Sequence, residues 1–368
     1  MKKSKAISII VLLAALLTAC SRQDGSIEYF PFRTEKSNFW GMMDTKGNVL
    51  FEGKFMFAPG TASRGVFMVL EEEGKFAFYT ATEEPQRIND EVYEIAKPFR
   101  YSDYTPVRCL DARHFTIIDK HGRHVAELSD SIIDIGFFAN ELAPFVTDST
   151  RPRMGYLNTR GEVVIPAQYT LATNFVCGVA LAEKMIKGIP SLSVINTQGK
   201  ELYTFGNEWQ PLATEYSDGL LPVINIRGEI GFLDTTGKLS IAPSDDWSMC
   251  FPTNPNTIPY TFKAGHCIYC DGLYYGLMNK KGEITVTAQY LNIYPGEGGL
   301  FVAQNKRGKW GCIDSKGKEI IAFEHAHGVI MPSITPHTIV MQNTGGRYRL
   351  VDAKGEVISK PFAQYQIK

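Results

Sequence analysis

The stretch KWGCIDSKG, Lys309–Gly317, decides the fold. Its first half is a short apolar run in the alternating pattern of a β-strand. Asp314 is followed three residues later by Gly317, which is typical of a turn that the Asp side chain caps and a left-handed Gly closes. A second apolar run, Glu319–Ala322, follows the turn. The stretch therefore predicts a β-hairpin with a bulged turn.

The same eight-residue signature recurs along the chain. An aromatic or apolar residue is followed by a small one, two apolar residues, Asp or Asn, two variable residues and Gly. The recurring positions are Trp40, Gly41, Asp44 and Gly47, then Gly155, Asn158 and Gly161, then Gly231, Asp234 and Gly237, then Gly276, Asn279 and Gly282, and then Trp310, Gly311, Asp314 and Gly317. Three further copies lack the early Gly and cover Phe115–Gly122, Leu192–Gly199 and Tyr348–Gly355.

The copies are evenly spaced. From Asp119 to Asp352 the turn residues follow one another at 39, 38, 38, 45, 35 and 38 residues. The gap from Asp44 to Asp119 is 75 residues, about twice the period, and Lys75–Tyr79 fits inside it as a degenerate copy. The sequence therefore predicts about nine tandem units of about 38 residues.

Each unit is predicted to be a three-stranded antiparallel meander, because a third apolar run such as Leu300–Ala303 precedes each hairpin. The middle strand is apolar on both faces, so both must be covered. The small residue, as in Gly311, lets a neighbouring backbone or ring approach closely. A single meander cannot bury two faces alone, so the units must stack on one another.

The run from Lys309 to Ile320 is similar to the WG, or KWG, repeat of bacterial proteins. Two copies also have the Ala-x-Tyr that follows the third strand in that family, at Ala167–Tyr169 and Ala288–Tyr290. The resemblance extends over residues 28–368 and implies a repeat architecture, but no single activity. It is blurred over residues 60–150 and interrupted at 242–263, a Pro-rich stretch that we expect to be a loop inserted on one edge of the array.

Two arrangements satisfy the need for stacking: an open or curved β-solenoid and a closed β-propeller. The chain starts and ends with what read as whole units, at Ile27–Phe55 and Pro336–Phe362, and nine blades would be many for a ring. The sequence thus favours an all-β open solenoid, with the propeller as the alternative.

The N-terminal segment has the pattern of an export signal. Three Lys residues precede an apolar run of about twelve residues, too short to cross a bilayer, which needs roughly 20. The run ends in Leu17-Thr18-Ala19-Cys20, which resembles the bacterial lipoprotein box. We expect residues 1–19 to be removed, Cys20 to be acylated, residues 20–27 to form a short tether, and 28–368 to form the array.

The expected location is the bacterial cell envelope, with the membrane as a partner through the acyl chains on Cys20. Ser21 after that Cys resembles an outer-membrane sorting signal; a periplasmic and a surface position remain open. The whole chain has 38 basic and 39 acidic residues; without three leader lysines the balance is 35 − 39 = −4. This near-neutral charge disfavours nucleic acid as a partner.

Cysteine and histidine pairs give little reason to expect a metal. Cys267 and Cys270 have metal-like spacing, but they lie in a strand-like run and no second pair accompanies them. His325 and His327 share one face of a strand and His121 and His124 flank a hairpin turn, but no carboxylate motif accompanies either pair, so all four read as exposed edge residues. A disulfide from Cys250 to Cys267 or to Cys270, tying down the Pro-rich insertion, is one hypothesis. No metal or cofactor is expected.

Neither a Gly-x-Ser-x-Gly elbow nor His-Glu-x-x-His occurs, and the recurrent acids and glycines are explained as turn residues. We therefore expect a protein that is not an enzyme and that offers a surface to an envelope protein or polysaccharide. The alternatives are an envelope scaffold or assembly protein, or a propeller-type hydrolase.

The candidate binding residues lie where the units differ. Trp247, Phe251 and Tyr260 stand outside the repeat signature, in the Pro-rich insertion. Exposed aromatic rings stack on sugars or anchor partner proteins. These three residues are the predicted aromatic patch.

Overall fold

A computed structural model describes residues 27–72, 74–147, 150–250, 257–295, 299–332, 338–342 and 345–365. These residues form β-strands and turns and contain no α-helix. Accordingly, no helix with the length and hydropathy needed to cross a bilayer occurs in this described part. The predicted leader and Cys20 lie outside the described residues.

The strands are short, mostly four to eight residues. The first nine are β1 (Tyr29–Arg33), β2 (Trp40–Asp44), β3 (Val49–Phe55), β4 (Val66–Glu72), β5 (Lys75–Thr80), β6 (Tyr93–Ala96), β7 (Tyr104–Cys109), β8 (Thr116–Asp119) and β9 (His124–Glu127). The next twelve are β10 (Ile132–Ile135), β11 (Leu142–Thr147), β12 (Met154–Asn158), β13 (Val163–Tyr169), β14 (Leu171–Ala172), β15 (Val179–Ile186), β16 (Ile189–Asn196), β17 (Glu201–Thr204), β18 (Gln210–Pro211), β19 (Leu220–Ile224), β20 (Ile230–Asp234) and β21 (Leu239–Ile241). The last are β22 (His266–Cys270), β23 (Tyr275–Asn279), β24 (Ile284–Tyr290), β25 (Asn292–Pro295), β26 (Leu300–Gln304), β27 (Trp310–Asp314), β28 (Glu319–His325), β29 (Ile330–Pro332), β30 (Thr338–Gln342), β31 (Tyr348–Asp352) and β32 (Gln364–Tyr365).

Within the described residues these strands form eight antiparallel sheets, which follow one another along the chain like the blades of an eight-bladed β-propeller. Four sheets are complete four-stranded meanders made from consecutive strands: β10–β13, β14–β17, β18–β21 and β25–β28. The predicted second and third units share the six-stranded sheet β4–β9, where β5 and β6 are joined through the single pair Phe76 and Tyr93. Nine repeats are thereby accommodated in eight sheets.

The prediction of three strands per unit was incomplete. A short fourth strand precedes the three predicted ones in several units, as β25 does before β26–β28. These strands are only two to four residues long (β14, β18 and β25), and their residues lack the alternating pattern that marks a strand in sequence.

The first and last described units of the array meet, and the prediction of an open solenoid was therefore wrong. The C-terminal strand β32 pairs with β1 and completes the first sheet as its fourth strand. A buried cluster joins Phe30, Phe32 and Met43 of the first unit to Leu350 and Phe362 of the last. This strand is only two residues long and lies beyond Pro336–Phe362, the predicted last unit, so the sequence pattern did not reveal it.

Apolar clusters fill the space between consecutive sheets. One example joins Leu277 and Val286 of β23–β24 to Phe301 and Ile313 of β26–β27. The central strands are buried on both faces, as predicted, because each is covered by the sheet before it and the sheet after it. Burying these faces is the main stabilising term of such an array.

Candidate binding cleft

The recurrent Asp and Asn side chains accept hydrogen bonds from the backbone of their own turns. Asp314 Oδ1 accepts the backbone N–H groups of Lys316 at 2.8 Å and Lys318 at 2.9 Å. The same pair of bonds forms at the other seven signature positions, Asp44, Asp119, Asn158, Asn196, Asp234, Asn279 and Asp352. The prediction that these residues are turn caps is confirmed.

The two signature glycines have different reasons to lack a side chain. A Cβ at Gly311 would lie 2.7 Å from the Ile321 carbonyl oxygen, because β28 bulges towards β27 at this point. Gly317 has φ +82°, and a Cβ there would contact Val286 of the preceding sheet at 3.3 Å. The turn glycine thus serves the turn and also the packing between neighbouring units, which the sequence did not indicate.

The predicted aromatic patch is corrected by the structure at two of its three residues. Trp247 and Tyr260 are 7% and 3% exposed and belong to the core between β18–β21 and β22–β24. The Trp247 indole N–H donates to the Ile230 carbonyl at 2.9 Å, and the Tyr260 hydroxyl bonds to the Ser248 carbonyl. Neither ring offers a face to a ligand, and Phe251 lies outside the described residues.

The described parts of the Pro-rich stretch, residues 242–250 and 257–263, contain no strand, but three of their rings, Trp247, Tyr260 and Phe262, are buried in this core. Cys250 and Cys270 form a disulfide that ties this stretch to β22, which confirms one of the two predicted pairings. Cys267 is free and buried, and burial raises the pKa of its thiol well above the usual value. A thiol in that state is a core residue, not a nucleophile.

At least one histidine of each predicted pair has a protein side chain as its partner. The His327 ring packs edge-on against Trp310, with centroids 5.4 Å apart, whereas His124 lies 2.8 Å from Glu91. Among the described residues, no group of three or more His, Cys, Asp or Glu side chains is arranged to hold a metal ion.

The sheets present two different ends. The end with the Asp/Asn-x-x-Gly turns, such as Asp314–Gly317, is called the turn face here, and the opposite end is called the cleft face. The cleft face carries the β26–β27 connection and the end of β28, because Gln304 pairs with Trp310 and Trp310 with His325.

A cleft of about 640 Å³ opens on the cleft face between the sheet β22–β24 and the sheet β25–β28. Its size lies within the range of small-ligand pockets, roughly 300–1,000 Å³. Its lining residues come from the ends of β24 and β28 and from the β26–β27 turn: Gln289, Tyr290, Asn305, Lys306, Arg307, Lys309, Phe323 and Glu324.

One wall of the cleft is basic and held in place by a turn. Asn305 Oδ1 accepts the backbone N–H groups of Arg307 and Lys309, each at 3.0 Å, and Gly308 closes the turn with φ +76°. The Lys306 ammonium lies 4.2 Å from the centroid of the Tyr274 ring on the neighbouring sheet. The other wall is aromatic, because Tyr290 and Phe323 stack at 5.6 Å with an interplanar angle of 20°.

A second cleft of about 400 Å³ occupies the equivalent place two units earlier. It is built around the turn of Asn225 and Gly228, in which Asn225 Oδ1 accepts from Arg227 and Glu229. Here the Arg227 guanidinium pairs with Glu229 at 2.8 Å, and Glu208 adds another carboxylate. The two clefts share their construction and differ in their charge.

These two turns were missed in the sequence. Both read Asn-x-Arg-Gly, at 225–228 and 305–308, and thus carry the same Asn-to-Gly spacing as the recognised turns. They lie between the first and second strands of the predicted meander, whereas the repeat signature marks the turn between the second and third. Their spacing of 80 residues, about twice the period, was the available signal.

Comparison with known proteins agrees with this architecture. The family model described as "WG containing repeat" matches residues 154–184, 275–310 and 310–324. Three segments of the chain thus match the WG repeat. The matched segments include the β24–β27 part of the larger cleft, so this cleft is built on WG-repeat units. No curated protein matches the chain.

The likeness to solved structures concerns the fold alone. The crystal structure of Porphyromonas gingivalis dipeptidyl peptidase 4 is similar to this chain with a TM-score of 0.53 and 10% sequence identity, over 90% of this chain and 64% of that one. The computationally designed Ika8 protein (TM-score 0.40, 11% identity, 71% of this chain and 86% of that one) and BamB from Moraxella catarrhalis (TM-score 0.37, 11% identity, 70% and 84%) are less similar in fold.

Proposed function

We propose that this WG-repeat protein is a non-catalytic binding protein of the bacterial cell envelope, held to a membrane by acyl chains on Cys20. Its cleft face binds an envelope partner. The observation that carries the proposal is the position of the larger cleft, which opens at the end of the sheets opposite to the start of the array.

The position of the N-terminal strand supports an orientation in which the cleft face points away from the membrane. Tyr29 at the start of β1 pairs with Asp44, so the chain enters the array at the turn face. Only six residues lie between Cys20 and Ile27, and the seven extended steps from one to the other reach at most about 25 Å. An acylated Cys20 would therefore hold the turn face near the bilayer and direct the cleft face away from it.

The groups in the cleft are those of a binding site. Its lining contains three cations, two aromatic rings and one carboxylate, Glu324. Hydrolysis of a glycosidic bond by the common route uses two carboxylates on either side of the bond. Cations and rings, in contrast, bind charged or ring-shaped ligands without any chemical step.

The anchor is tested by replacing Cys20→Ala and separating membranes from soluble extract. The parent protein is expected in the membrane fraction and the variant in the soluble fraction, since two or more acyl chains are what hold such a protein firmly. Ser21→Ala is the matched control and should stay with the membrane. A Cys20→Ala protein that remains membrane-bound would contradict the anchor.

The binding role is tested by affinity capture from envelope extracts. The Cys20→Ala protein serves as bait, and a bait that also carries Arg307→Glu and Lys309→Glu tests the cleft. Both side chains are exposed, so the substitutions should leave folding intact. We expect the cleft variant to lose a protein or polysaccharide that the parent bait retains, and a bait with Arg227→Glu to retain it. Identical capture by all three baits would refute a binding role for this cleft.

A further inference from the structure

The geometry points to an anionic polysaccharide segment as the ligand of the larger cleft, with a sugar ring against Phe323, on which Tyr290 stacks, and acid groups at Arg307 and Lys309. This inference rests on the proposed function and names the ligand class of the same site.

The cleft lining has a net positive charge, because its cations outnumber its carboxylates. Lys306, Arg307 and Lys309 give +3 and Glu324 gives −1, so the lining carries 3 − 1 = +2. Among the ion pairs of the described residues, Arg307 and Lys309 take part in none, whereas Arg227 in the equivalent smaller cleft is paired with Glu229. A guanidinium and an ammonium without a carboxylate partner suit a carboxylate or phosphate supplied by a ligand.

The cations are placed by the fold. The Asn305 cap and the left-handed Gly308 fix the backbone of the turn on which Arg307 and Lys309 stand. The turn is held further by the Gln304 side chain, whose amide N–H donates to the Gly308 carbonyl at 3.1 Å. Lys306 is directed towards Tyr274, so Arg307 and Lys309 are the two cations left to contact a ligand. A rigid turn lowers the entropy cost of binding an anion.

The opposite wall favours a sugar over a protein partner. Tyr290 is only 8% exposed and stacks on the half-buried Phe323 ring, so the small apolar surface offered to a ligand is mainly that of Phe323. The cleft volume of about 640 Å³ suits a few sugar rings. A specific protein interface instead buries about 800 Å² on each partner. An acidic sugar offers a C–H face for the aromatic wall and an anion for the basic wall at the same time.

The test is a calorimetric titration of the full chain, purified as expressed, with defined oligosaccharides. The probes are an oligogalacturonate, which carries carboxylates, a phosphorylated glucose oligomer of similar length, a neutral malto-oligosaccharide and a short oligoglutamate peptide. We expect at least one acidic oligosaccharide to bind and the neutral one to bind roughly tenfold more weakly or not at all. The carboxylate and phosphate arms identify which acid group is preferred.

The matched variants are Arg307→Gln with Lys309→Gln in the larger cleft and Arg227→Gln in the smaller one. The first pair should weaken binding of the acidic oligosaccharide by roughly tenfold or more and reduce its salt dependence, and the second should leave both unchanged. Phe323→Leu should weaken binding with unchanged salt dependence, which separates the aromatic wall from the basic one.

Three outcomes would overturn the inference. They are equal affinity for acidic and neutral sugars, tighter binding of oligoglutamate than of any acidic sugar, and no binding of either acidic sugar. If the envelope capture described above still depends on Arg307 and Lys309 in these cases, the binding role stands and the ligand class is wrong. If that capture is independent of both residues, the binding role itself fails.

Discussion

The Phe362 ring packs against the Phe30 ring with centroids 6.4 Å apart, although the two residues stand near opposite ends of the array. The contact is reinforced by the Ala363 N–H, which donates to the Arg33 carbonyl at 2.8 Å, and by the ion pair of Arg347 with Glu35. These contacts join the last unit to the first and close the ring.

Replacing Phe362→Ala should destabilise the whole protein, because every unit of a closed ring has two neighbours. Phe362 is 1% exposed, and truncation of a buried Phe costs about 3–5 kcal/mol. Urea denaturation followed by tryptophan fluorescence measures the loss. Phe39→Ala, at a ring that is 48% exposed in the first unit, is the control and should change stability by about 0.5 kcal/mol or less. Equal losses in the two variants would argue against closure through Phe362.

Replacing Gly311→Ala should destabilise the β27–β28 hairpin, since the new Cβ would meet the Ile321 carbonyl oxygen at 2.7 Å and the Phe323 ring at 2.8 Å. Overpacking of this kind costs about 1–3 kcal/mol. Gly206→Ala is the matched control, because a Cβ at Gly206 meets nothing within 4 Å. The urea midpoints of the two variants should therefore separate, and coinciding midpoints would show that the close approach is unimportant.

The Cys250–Cys270 disulfide can be tested by differential alkylation. In unfolded, unreduced protein, Cys267 and Cys312 should take the label, whereas Cys250 and Cys270 should take it only after reduction. The bridge joins residues 20 apart, and closing a loop of that length stabilises a fold by about 3 kcal/mol. Cys250→Ser should therefore lower stability, and Cys109→Ser, at a free cysteine, should have a smaller effect. Labelling of Cys250 before reduction would refute the pairing.

The loss of folding stability at low pH should depend on the Asp side chains that cap the turns. Hydrogen bonds from the Glu356 and Lys354 backbone N–H groups lower the pKa of Asp352 below its ordinary 3.8. A carboxylate with a lowered folded pKa stabilises the fold above the unfolded pKa, and this contribution is lost as the pH falls from about 3.8 through the lowered value. Asn makes the same cap in another unit, at Asn158, and does not titrate. The free energy of unfolding of Asp352→Asn should therefore fall less below about pH 4 than that of the parent protein. Unfolding at a series of pH values measures this, and an unchanged acid limb would contradict it.

Local features were read well from the sequence because they depend on neighbours in the chain. The Asp314 cap, the left-handed Gly317 and the close approach at Gly311 all follow from residues within about ten positions of one another. The cleft was missed for a related reason. Its turn at Asn305 was readable, but its aromatic wall combines Tyr290 and Phe323, which only the packing of two sheets brings together.

The aromatic residues of the Pro-rich stretch show the opposite error. Trp247 and Tyr260 lie outside the repeat signature, and the absence of a pattern suggested exposure. In the fold they fill the space between two sheets and satisfy their polar atoms on backbone carbonyls. Residues outside a periodic pattern are thus as able to be buried as those within it, because burial depends on the neighbouring unit.

By itself, the sequence determined the all-β repeat, its period, its turns and the doubly buried central strands, since these follow from the order of residues along one unit. The tertiary structure alone decided whether the array is open or closed. Closure depends on the small rotation between neighbouring units, summed over the whole array. The ring closes only if this sum brings Phe362 into contact with Phe30. The tertiary structure also decided which side chains of different units form a cleft, because a cleft requires two surfaces that no single repeat contains.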